Sequence, residues 1–144
     1  MDKANIDKRA AALIALFASA PIKATTGMEL SYEDGRAIFE MPYNPGFDHA
    51  VGGIHGGAIC TLLDNAGWFT AALQYDVWIA TVDLNVKILE PASQEGLRAE
   101  GRLLRSGKRL AMAEMELRSA SDGRLVATGS GTFAVTSISR QAKR

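Results

Sequence analysis

The reading of the chain turns on Gly52-Gly53-Ile54-His55-Gly56-Gly57 followed by Ala58-Ile59-Cys60-Thr61-Leu62-Leu63-Asp64-Asn65-Ala66-Gly67-Trp68-Phe69-Thr70-Ala71-Ala72-Leu73. A glycine-rich turn runs into a segment that is apolar or small at nearly every position. This pattern predicts a helix enclosed by protein on most faces. Its one carboxylate is Asp64, and no Lys or Arg lies between Arg36 and Lys87 to neutralise it locally. An acid in such company either sits at a solvent-reaching seam, as part of a polar stripe with Thr61 and Asn65, or has a chemical task.

The start of this helix is equally informative. First-turn N–H groups lack intrahelical acceptors and carry the positive end of the helix dipole, so glycines there let a carbonyl or phosphate oxygen approach the backbone. Asp64 lies eight residues beyond Gly56, about 12 Å along the axis, too far for both to act on one atom. Two copies packed antiparallel across a two-fold axis would bring the carboxylate of one to the amide end of the other, giving two shared sites per dimer.

The 144 residues suit one domain, and 47% hydrophobic content fits an ordinary globular protein. Sixteen basic against sixteen acidic residues leave no net charge, which argues against a nucleic-acid footprint. The balance is uneven, since Lys87 to Arg144 holds eleven cations and six acids, so the second half can meet a phosphorylated small molecule. Cys60 is the single cysteine, which excludes an internal disulfide. No apolar run reaches the ~20 residues of a membrane span. Lys3, Lys8 and Arg9 before an apolar stretch, with Ala18-Ser19-Ala20 after it, outline a secretory signal. Asp2 and Asp7 and the helical spacing of Ile6, Ala10, Leu13, Ile14 and Phe17 favour instead an amphipathic helix docked on a core. A cytoplasmic protein is the expectation.

In chain order, the pattern predicts a helix over Lys3–Ser19 stopped by Pro21, then a connector over Ile22–Gly27. Strands follow over Met28–Glu33 and Arg36–Met41, joined at Asp34-Gly35, and then a long loop over Pro42–Ile54. After the buried helix come strands over Trp78–Leu89, Leu97–Leu104, Leu110–Ser119 and Arg124–Ser137. In the first of these four, Thr81, Asp83, Asn85 and Lys87 alternate against Ala80, Val82, Leu84, Val86 and Ile88. The short turns favour an antiparallel sheet of about six strands, an α+β arrangement curled around the one long helix, with an extra N-terminal helix. The division expected is 1–24 for the first helix and connector, 25–137 for the main domain and 138–144 for a tail.

His55-Gly56-Gly57, Asp64 within Leu62-Leu63-Asp64-Asn65-Ala66, Thr81-Val82-Asp83-Leu84-Asn85, Pro91 and Gly107-Lys108 together resemble the hotdog fold, and within it the phenylacetate-degradation (PaaI-like) type of acyl-CoA thioesterase. The likeness runs over roughly residues 25 to 136. It implies hydrolysis of an acyl-CoA thioester in a dimer or dimer of dimers, without metal or organic cofactor, coenzyme A being part of the substrate. The Gly56 amide would hold the thioester oxygen, and Asp64 of the partner would attack the carbon directly or through water. Thr81 would orient that water or the carboxylate. His49 stands where the family often has Asn, six residues before His55, and an imidazole there can donate a similar hydrogen bond. His55, Gly57 and Asn65 would line the substrate, while Arg102, Arg105, Lys108 and Arg109 would grip the coenzyme A phosphates. Two other readings stay open: a hotdog enoyl-CoA hydratase or dehydratase using Asp64 with a histidine, and a non-catalytic acyl-CoA-binding module.

His49, His55, Cys60 and Asp64 have no recognised zinc spacing. The glycine turn lacks the lysine of a phosphate-binding loop and the form of a dinucleotide turn, and Gly129-Ser130-Gly131 is not a nucleophile elbow.

Overall fold

The computed structural model describes residues 1–140, so positions 141–144 of the expected tail lie outside the described residues. Two helices, α1 (Lys3–Ala18) and α2 (Pro21–Thr26), precede strands β1 (Glu29–Glu33) and β2 (Arg36–Met41). The long helix α3 (Gly56–Ala72) follows, then β3 (Val77–Ile88), β4 (Leu97–Ser106), β5 (Leu110–Ser119) and β6 (Leu125–Ser139). The strands form one antiparallel sheet in the order β1-β2-β4-β5-β6-β3. This sheet curls around α3 in the hotdog arrangement. One side chain in two along the central strands faces the helix: Ala111, Ala113, Met115 and Leu117 of β5 are buried against it.

Ten of the seventeen residues of α3 are buried, which requires the sheet to come very close. At Gly101 of β4 an added Cβ would lie 2.2 Å from the Ala66 carbonyl oxygen and 2.4 Å from Thr70 Oγ1, so the bare backbone is what lets helix and sheet touch. Thr70 Oγ1 in turn accepts a hydrogen bond from the buried Ala37 N–H at 2.9 Å, tying β2 to the same helix.

Helix α1 docks as the pattern predicts, through Ala10, Leu13 and Phe17, with Phe17 set edge-on to Phe39 at 5.0 Å and to Phe69 at 5.5 Å. Ile14 falls at the margin of this stripe and is exposed. The expected Ile22–Gly27 connector is instead mostly helical. Pro21 starts α2 in its first turn rather than merely stopping α1, and Gly27, at φ 70°, closes it in the left-handed region. At Asp34-Gly35 both residues take positive φ, as a two-residue hairpin turn demands.

The face assignment in β3 also changes. Thr81 pairs with Phe133 and Asp83 with Thr132, so Val82 is an extra, unpaired residue, a β-bulge. Before the bulge the odd positions face the helix, including the fully buried Ile79; after it Leu84 and Val86 pack on the core. Thr81 therefore turns toward α3 instead of joining the outward face with Asp83.

Replacing Gly101 with Ala is expected to cost about 1–3 kcal/mol, because the clashing partner is backbone that cannot swing away. Thermal and urea unfolding of the variant, showing a lowered midpoint, provide the check.

Candidate functional site

The loop before α3 is held by its own backbone. His49 N–H donates to Gly53 O, Gly52 N–H to His49 O, Ile54 N–H to Ala92 O and His55 N–H to Phe47 O, each within 2.8–3.0 Å. Tyr43 donates its hydroxyl to Asp48 at 2.5 Å, pinning the middle of the loop. This places His55 as the N-cap of α3, with Nδ1 accepting from the Gly57 N–H at 2.8 Å. The Ala58 and Ile59 amides donate to the His55 carbonyl at 3.0 and 3.4 Å. Of the donors at the helix start, the half-buried Gly56 N–H is thus the one with no acceptor among the described residues. An oxygen carrying developing negative charge would be received there by both donor and dipole.

His49 lies on the surface of this loop, its Nδ1 accepting from Val51 N–H at 3.3 Å. That bond assigns the proton of the neutral ring to Nε2, which packs so near Gly53 that an added Cβ would lie 2.6 Å away. Gly53 makes room for the ring.

Two turns further along α3, the half-buried Asp64 accepts a hydrogen bond from Thr81 Oγ1 at 2.8 Å. The bulge in β3 makes this contact. Burial raises the Asp64 pKa above the ordinary aspartate range, and the Thr81 hydrogen bond opposes that shift. No cation forms an ion pair with Asp64 among the described residues, as the missing Lys and Arg in the sequence imply. Asn65 sits one residue on, its amide donating to the Thr61 carbonyl at 2.9 Å. Beside Asp64 runs an open groove of about 490 Å³, with Thr61, Asp64 and Thr81 among its polar lining residues and Trp68, Phe69 and Trp78 among its apolar ones. The two tryptophans meet, with ring centroids 4.7 Å apart. Their contact depends on how β3 returns along α3 and leaves no local signal in the sequence.

Arg105, Lys108 and Arg109 gather around a second cavity of about 470 Å³ at the β4–β5 turn, and none has a carboxylate partner among the described residues. Its floor includes Leu110 and Met112, which alternate with the helix-facing Ala111 and Ala113, so it opens on the opposite face of the sheet from Asp64. Arg102, by contrast, is paired with Glu114. Among the described residues, no three His, Cys, Asp or Glu side chains converge as metal donors, and no helix is long and apolar enough to cross a membrane.

Residues 51–126 match the sequence family described as the thioesterase superfamily. An esterase-named protein of Saccharolobus solfataricus is 33% identical over 115 residues, covering 79% of this chain and 81% of its own. Human acyl-coenzyme A thioesterase 13 is 32% identical over 107 residues, 72% of this chain and 75% of its own. Among solved structures, a phenylacetic acid degradation-related protein from Ralstonia eutropha JMP134 superposes with a TM-score of 0.74 at 28% identity, over 84% of this chain and 96% of that one.

The raised Asp64 pKa carries a sign for stability. The folded state favours the protonated form, so this contribution is complete below the unfolded aspartate pKa and is lost as pH rises through the folded value. At neutral pH the ionised carboxylate opposes folding. Asp64→Asn is accordingly expected to unfold at a higher urea midpoint than wild type at pH 7.5, with the advantage vanishing in acid, as parallel titrations at the two pH values will read.

Proposed function

Because the chain belongs to the thioesterase superfamily and is a thioester-hydrolysing enzyme, we propose that its substrate is an acyl-CoA and that each active site is assembled from two copies of the chain. The open Gly56 amide is the observation that carries this reading: one unclaimed donor at a helix start, and a carboxylate on the same helix too distant to share its target. In a two-fold pair, Gly56 of one subunit holds the thioester oxygen while Asp64 and Thr81 of the other address the carbon. His49, on the loop that leads into α3, belongs to the Gly56 side and would add a donor there.

The chemistry is economical. A thiolate is already a good leaving group, so a positioned carboxylate and an oxyanion donor suffice. Asp64 works in its ionised form whether it attacks directly or draws the proton from water. Thr81 helps by hydrogen-bonding that form.

Strand β3 supports the pairing. It ends the sheet, runs for twelve residues, and exposes Trp78, Val82 and Ile88. A long edge strand that carries exposed apolar side chains is a template for another strand. At the other edge, β1 is only five residues long. Arg105, Lys108 and Arg109, which have no carboxylate partner among the described residues, are suited to coenzyme A phosphates, with that portion of the substrate reaching them around the sheet in the assembled oligomer.

Two substitutions separate the roles. Asp64→Ala is expected to abolish release of coenzyme A thiol from acyl-CoA substrates while the protein stays folded. Gly56→Pro removes the open N–H at a position where proline suits the helix, and the extended ψ of 136° at His55 is the conformation that proline prefers before it. It is expected to lower kcat about 10²–10³-fold. Gly56→Ala, which adds a Cβ 3.1 Å from the movable Ile88 Cδ1 but keeps the amide, should retain most turnover. Undiminished activity in Asp64→Ala would refute the assignment.

A further inference from the structure

The groove beside Asp64 has two different ends. At one end stand Thr61, Asp64 and Thr81, with the carboxylate. Four residues along α3, about 6 Å of axis, Trp68 and Phe69 begin the apolar end, and Trp78 of β3 and Ile22 of α2 complete it. Trp68 spends its indole N–H on the Ile79 carbonyl at 2.7 Å, so the ring presents carbon to the groove. The volume of about 490 Å³ lies within the range of small-molecule sites.

Helix α2 is closed by its own bonds. Pro21 opens it, Thr26 Oγ1 donates to the Ile22 carbonyl at 2.7 Å, and Gly27 closes it with its N–H on the Lys23 carbonyl. Ile22 nevertheless leaves 41% of its surface exposed and Trp78 40%. Two large apolar side chains uncovered at the end of a groove that starts at the candidate carboxylate are placed to touch a ligand there.

We infer that this groove receives the acyl part of the substrate, and that Ile22 and Trp78 form its end wall and limit the acyl length accepted. The inference rests on the thioesterase reading of Asp64 and adds a specificity device supplied by the N-terminal segment. An acyl group whose carbonyl lies at Asp64 has only the length of the groove before it meets Ile22 and the indole of Trp78. Short or compact apolar acyl groups fit within that wall, and long straight chains do not. Widening or filling an apolar pocket by about a methylene changes discrimination by about tenfold.

The test is kcat/KM for thiol release across butyryl-, hexanoyl-, decanoyl- and palmitoyl-CoA, using the full chain as wild type, Ile22→Ala, Ile22→Trp and Trp78→Ala, with the molar mass of each measured in solution. Wild type should favour the shorter substrates. Ile22→Ala should raise the decanoyl-to-butyryl ratio about tenfold, and Ile22→Trp should lower hexanoyl turnover while sparing butyryl. Ile22 is exposed, so these two variants test the wall even if Trp78→Ala proves unstable. An unchanged chain-length profile in both Ile22 variants, with wild type active, overturns the inference and leaves the thioesterase reading standing. A change in molar mass without a change in profile also overturns it, because Ile22 would then serve the contact between subunits and not the acyl group. Absence of turnover by wild type on every acyl-CoA overturns the acyl-CoA reading itself.

Discussion

A helix with almost no polar face has to be enclosed, and the enclosure of α3 is the constraint from which the rest of the molecule follows. The sheet curls because it must cover several sides of one cylinder. Gly101 lacks a side chain because the Ala66 carbonyl occupies that space, and α1 brings Phe17 against Phe39 and Phe69 to cover what the sheet leaves. Apart from its first five residues, the part of α3 least completely enclosed is the stripe of Thr61, Asp64 and Asn65, which are only half-buried. Those two regions, the glycine start and this stripe, are the surface of α3 that chemistry can reach.

That seam also sets the electrostatics. With no cation paired to it among the described residues, Asp64 is governed by desolvation and by one hydroxyl. The balance keeps the carboxylate less acidic than an ordinary aspartate, and hence more basic once ionised. The opposite polarity appears at the helix start, where His55 claims the Gly57 amide and leaves that of Gly56 open. Donor and carboxylate belong to one rigid helix and cannot converge within one chain, which is the physical reason for proposing a site shared by two.

Much of this was legible in the sequence, and what was not has identifiable causes. The apolar run with a lone acid marked α3 and Asp64, and the turn signal at Ser106-Gly107-Lys108-Arg109 placed the start of β5 at Leu110, with its end at Ser119, as observed. Helix α2 was missed although its signals were present: Pro21 was read as a stop when it also begins a helix, and the β-branched Thr25 and Thr26 weigh against helical propensity. The turn of Thr81 toward Asp64 could not be read from alternation, because a bulge leaves no local mark and is decided by the sheet partner. The groove depends on α2, α3 and β3 meeting. No single stretch of sequence contains it.

The central claim is that Gly56 and Asp64 serve one reaction from different subunits, and mixing two inactive variants tests it most directly. Purified Gly56→Pro, slowed about 10²–10³-fold, and Asp64→Ala, without turnover, would be unfolded together, refolded as a mixture and assayed for thiol release from an acyl-CoA. Random pairing puts half of the chains' dimers in the mixed form, and each mixed dimer has one site with both native residues, so the account predicts recovery of about a quarter of wild-type activity. If mixed dimers form, as two distinguishable tags would show, and no activity returns, the two residues do not act across the interface and the account is contradicted.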